Sequence, residues 1–110
     1  MDFSSLFSKL EEGAVDAAKN VAINALQEAA KDAVEFVKMA TPSITRYLML
    51  LMKSEISQEE FKSLIMGLKD LAQLAGLTQA GLAAIEIEAT RNAILKTVTS
   101  IALGSISKGL

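Results

Sequence analysis

Glu55-Ile56-Ser57-Gln58-Glu59-Glu60-Phe61 is the stretch whose reading decides the fold. Ser57 and Glu60 have the spacing of a capping box, in which each side chain accepts a hydrogen bond from the other residue's backbone N–H. Ile56 and Phe61 stand where a hydrophobic staple sets the angle at which the chain enters a helix. Glu59 and Glu60 place negative charge at the positive end of the helix dipole. A helix therefore begins at Gln58. A calcium-binding loop is the competing reading of these acids, but the Asp/Asn spacing it needs is missing.

Before this cap, Ile44 to Ser54 reads as a short helix in which Tyr47, Leu48, Met49, Leu50, Leu51 and Met52 are consecutive. Apolar on all sides, it is either central in the core or half core and half interface. The turn between residues 54 and 58 is only two or three residues, so the flanking helices fold back into a hairpin.

Thr41-Pro42-Ser43 separates this hairpin from a long amphipathic helix predicted over 14–40, because the residue before proline avoids the α region. On that helix Ala18, Ala22, Ala25, Ala29 and Ala33 make a ridge of small side chains within an apolar face that also holds Leu26 and Phe36. Asp32 and Glu35 are placed on the polar face. Phe3, Leu6, Phe7 and Leu10 mark a further amphipathic stretch over 1–12, either a docked first turn or an arm that inserts into a neighbour or a membrane surface. Gly13 loosens its junction.

After the cap, Phe61, Ile65, Leu68, Ala72 and Ala75 carry a helix over 58–75. Gly76 suits a left-handed C′ position and Thr78 the next N-cap. The last helix, 78–103, is broad-faced: Leu82, Ile85, Ile94, Leu95, Val98, Ile101 and Leu103 cover more than half its circumference. Glu88, Arg91 and Asn92 fall within that arc, and Thr90 outside it. Glu88 and Arg91 pair at i, i+3, as a half-exposed surface pair or, with Asn92, as a buried polar layer that fixes register. Gly104 marks the helix end, with 105–110 as a frayed tail.

The composition narrows the chemistry. A chain of 110 residues, 51% hydrophobic and 22% charged, is one domain with a core of its own (1–110). It holds no cysteine and no histidine, which removes disulfides, thiolate ligands, nucleophilic Cys and the commonest general base. Glu86 and Glu88 lie on different helix faces, and phosphate-binding glycine loops are missing. An all-carboxylate site from Glu35, Glu59 and Glu88 is the one conceivable centre. No catalytic residue, cofactor or metal is expected. Net charge is −2, basic residues are scattered and aromatics few, so nucleic acid is not an expected partner. From Ala89 onward the charges are Arg91, Lys96 and Lys108, with no acid. The Met-Asp-Phe-Ser-Ser start lacks a basic signal region, which makes cytoplasmic the expected compartment.

The expected fold is an all-α, small antiparallel helical bundle of two long helices plus a short helical hairpin. Mean hydropathy of +0.35 is high for so small a domain, and surplus apolar surface marks interaction sites. The expected function is a non-catalytic helical protein–protein interaction or assembly module that forms a homo-oligomer or binds another helical protein. Its interface candidates are Tyr47, Leu48, Met49, Leu51, Met52, Glu88, Arg91 and Asn92. A protein that associates with a membrane surface is the alternative.

Overall fold

The computed structural model describes residues 3–107 and contains no strand among them. Its elements are α1 (Ser4–Val21), α2 (Leu26–Met52), α3 (Gln58–Met66), a 3-10 turn (Gly67–Leu71), α4 (Ala75–Gln79) and α5 (Ala84–Ser107). The all-α antiparallel bundle is as expected. α1 packs most extensively on α5 and α2, and α3 closes the bundle against the same two helices. The long dimension of 43 Å is close to the ~40 Å that the 27 residues of α2 span at 1.5 Å each.

The hairpin forms as its cap requires. The Glu60 N–H donates to Ser57 Oγ at 3.1 Å and the Ser57 N–H to Glu60 Oε1 at 2.9 Å. Phe61 is fully buried and Ile56 packs at the edge of the core. α2 ends in a Schellman turn, with the Ser54 N–H donating to Leu51 O and the Glu55 N–H to Leu50 O. Ser54 takes the left-handed conformation (φ 59°) that glycine usually supplies there.

Several expected boundaries move. The helix expected over 14–40 is two helices: α1 runs through Gly13, and the chain reverses at 22–25. Asn20, Val21, Ile23 and Asn24 all have modest helix propensity. Reversal also folds the alanine ridge onto itself, so that Ala18, Ala22, Ala25, Ala29 and Ala33 are all buried. Gly13 is no loose junction. A Cβ there would press on the Ile101 side-chain tip and Thr97 Cγ2, so glycine lets α1 lie against α5 without displacing them. The arm over 1–12 is docked, with Leu6 and Leu10 in the core and Phe3 and Phe7 edge to face at 6.4 Å. Leu26, expected inside, is 47% exposed in the first turn of α2.

Pro42 lies inside α2 and does not break it. Val37, Ala40, Ile44 and Leu48 are fully buried on one continuous face, so stopping at Pro42 would forfeit that packing. Pro42 itself is exposed, where water can satisfy the carbonyl its missing N–H leaves free, and the Thr41 hydroxyl donates to Val37 O at 2.7 Å.

The helix expected over 58–75 winds tightly after Met66. Ile65, Leu68 and Leu71 recur every three residues, the period of a 3-10 turn. Leu74, not Gly76, takes the left-handed conformation (φ 54°), and Gly76 and Thr78 both lie inside α4. Thr78 therefore caps nothing; its hydroxyl donates to Leu74 O. α5 begins at Ala84, passes Gly104 and continues to Ser107. Of the expected frayed tail, 108–110, with Lys108, falls outside the described residues. The buried face of α5 is rotated from expectation: Thr90 is fully buried and Ile85 is 80% exposed. The Thr90 hydroxyl is satisfied by Glu86 O at 2.8 Å.

A proline in a helix interior costs about 3 kcal/mol relative to alanine. Pro42→Ala should therefore raise the urea midpoint, stabilising the fold by about 1–3 kcal/mol. A neutral or destabilising result would mean that Pro42 opens a separate helix.

Candidate functional site

Two polar ties run between helices, and sequence spacing revealed neither of them. The first is Asp32, which is 4% exposed. Its carboxylate accepts from the Gly76 N–H (Oδ1, 3.1 Å) and the Leu77 N–H (Oδ2, 2.8 Å), across 44 and 45 residues of chain. These are free N–H groups at the start of α4, where negative charge also meets the positive end of the helix. Glycine at 76 leaves room for this contact, since a Cβ there would crowd Asp32 Oδ1 at 2.7 Å. The available cue was position: Ala29, Asp32, Ala33 and Phe36 stand at i, i+3, i+4 and i+7, with an acid on a stripe that otherwise goes to the core.

The second tie is Arg91, whose Nε donates to Ala72 O at 2.7 Å while Nη1 donates to the Glu88 carboxylate. The Arg91 side chain is 20% exposed and that of Glu88 57%. Asn92 is exposed and joins neither. Glu88, Arg91 and Asn92 are thus not a buried layer: Arg91 holds the carbonyl that ends the 3-10 turn, and Glu88 steadies the guanidinium from the solvent side. Lys69, Asp70 and Gln73 line the polar groove beside the pair.

The candidates on α2 divide. Leu48 is fully buried within its own chain and leaves no surface for a partner. Tyr47 and Leu51 are half-buried, with the Arg46 guanidinium 5.3 Å from the Tyr47 ring centroid. Met49 and Met52 are 44% and 42% exposed, one turn apart. Glu35, Glu59 and Glu88 are not brought together, and among the described residues no three acids stand close enough to hold a metal ion.

Comparison with known proteins returns no matching family model, no matching curated protein and no matching solved structure.

Hydrogen bonds to a charged group contribute about 1.5–3 kcal/mol each. Asp32→Ala should lower stability by about 3 kcal/mol and Asp32→Asn, which keeps one acceptor, by less. Gly76→Ala should match Asp32→Ala in urea unfolding, since its methyl pushes the same carboxylate off its donors. For the second tie, Arg91→Ala should cost about 1–2 kcal/mol, while Glu88→Ala, removing an exposed partner, should stay within about 0.5 kcal/mol. Equal losses at 88 and 91 would show that the ion pair, not the Ala72 carbonyl, is what Arg91 serves.

Proposed function

We propose that the chain is a non-catalytic helical interaction module that associates with further copies of itself through apolar helix surface. The observation that carries this reading is the exposure of large apolar side chains on a small bundle. Met39, Met49 and Met52 on α2, Met66 on α3 and Ile85 on α5 are each between 37% and 80% exposed. Met49 and Met52 adjoin half-buried Tyr47 and Leu51, so this end of α2 presents a surface of adaptable thioethers. Exposed apolar area of this kind is removed from water by association.

The membrane-surface alternative has less support at the N-terminal stretch, where Leu6 and Leu10 are buried and Phe3 and Phe7 are half-buried against the core. Among the described residues no helix is long and apolar enough to cross a membrane.

The molar mass in solution should rise with concentration across the micromolar range. A strict monomer at high micromolar concentration overturns self-association. Pelleting of that monomer with anionic vesicles would move the function to the membrane surface.

A further inference from the structure

We propose that the outer face of α5 pairs antiparallel with the same face of a second copy. This rests on the self-association reading above and names the surface that mediates it. Ile85, Asn92, Lys96 and Leu103 follow at intervals of seven, four and seven, and therefore lie on one side of the helix. The first three are exposed and Leu103 is half-buried. Ile85, at 80%, is the most exposed large apolar side chain among the described residues. Charge on this face is sparse: Arg91 is turned inward onto Ala72, which leaves Lys96 and, at the edge, Glu88. α1 faces water very differently, with Lys9, Glu12, Asp16 and Lys19 all exposed.

The direction of pairing follows from the two charges. A parallel pair sets Lys96 against Lys96 and Glu88 against Glu88, which is repulsive. An antiparallel pair around a two-fold axis on the outer face, midway in height between residues 85 and 103, does the reverse. Ile85 of each copy meets Leu103 of the other, and the two such contacts stand about 27 Å apart along the seam at 1.5 Å per residue. Lys96 lies opposite Asn92 of the other copy, with that copy's Glu88 one helical turn further, within reach of a lysine side chain. The surface is self-complementary, as an isologous interface must be. The methionine end of α2 is less suited to pairing with itself and more to packing against a different surface. Between Phe36 and Ser54 it carries Lys38, Arg46 and Lys53 and no acid, so pairing that half-helix with itself brings like charges together.

Charge reversal and cysteine placement test the surface on the whole chain, which has no native cysteine. Lys96→Glu sets acids against acids and should raise the dimer dissociation constant about tenfold or more. Glu88→Lys combined with Lys96→Glu restores opposite charges and should return the constant to within about threefold of the parent. Asn92→Cys, on the seam and within two residues of the axis, should give a covalent dimer with a short bifunctional thiol cross-linker, and Met49→Cys should not. Circular dichroism of each variant confirms that it is folded. A parent dimer that ignores Lys96→Glu, with Met49→Cys linking in place of Asn92→Cys, overturns the α5 surface and leaves self-association standing. A parent that stays monomeric at every concentration overturns both.

Discussion

Between α3 and α5 the chain crosses a segment with little helix of its own, and the carboxylate of Asp32 holds it to the bundle. α4 has five residues, far fewer than an isolated helix needs to be stable in water. No side chain within the segment caps its first turn. The acceptor comes instead from the middle of α2, and Arg91 on α5 takes the carbonyl of Ala72 a few residues earlier. The crossing is therefore bracketed by one anion and one cation, each fixed on a long helix. These ties place the start of α5 relative to α2, and with it everything α5 presents to solvent.

The other constraint is close approach around α1. Ala14 and Ala18 on α1, Ala29 and Ala33 on α2, and Gly13 opposite Ile101 let three helices come together with little side-chain volume between them. Small residues permit axes at the short end of the usual ~8–10 Å separation. Larger buried side chains come from α1 (Leu6, Leu10), later in α2 (Phe36, Ile44, Leu48) and α3 (Phe61, Ile65). The α1–α5 contact depends on fit more than on buried volume.

The all-α class, the hairpin and its cap were legible in the sequence because a capping box is a local interaction, complete within four residues. The buried phase of Phe61 and Ile65 was legible for the same reason, since periodicity along one helix needs no knowledge of neighbours; Ala75, placed on the same stripe, is exposed because the helix gives way to a 3-10 turn after Met66. The reversal at 22–25 was not, since it has neither proline nor glycine and is driven by what the alanines on each side find to pack against. Pro42 misled in the opposite direction, because burial of Ala40 and Ile44 outweighs one lost backbone hydrogen bond. Glu88, Arg91 and Asn92 were singled out together, yet only Arg91 turns inward, and its partner is a backbone carbonyl that composition cannot reveal. Ile85 was placed on the covered arc and faces water, because it stands nine residues, about 180° around the helix, from the fully buried Ile94.

Leu74 combines a left-handed backbone with a side chain only 3% exposed. The conformation favours glycine, by about 1–2 kcal/mol over other residues, while the core position favours leucine. Burial prevails, and the strain stays in the chain as long as Leu74 remains docked. Any fluctuation that lifts this segment off α2 recovers that strain as it loses packing, so its opening is easier than the contact area alone suggests. Opening around Leu74 would also break the Asp32 and Arg91 ties, so the stored strain offsets part of the cost of a local opening that leaves the long helices packed.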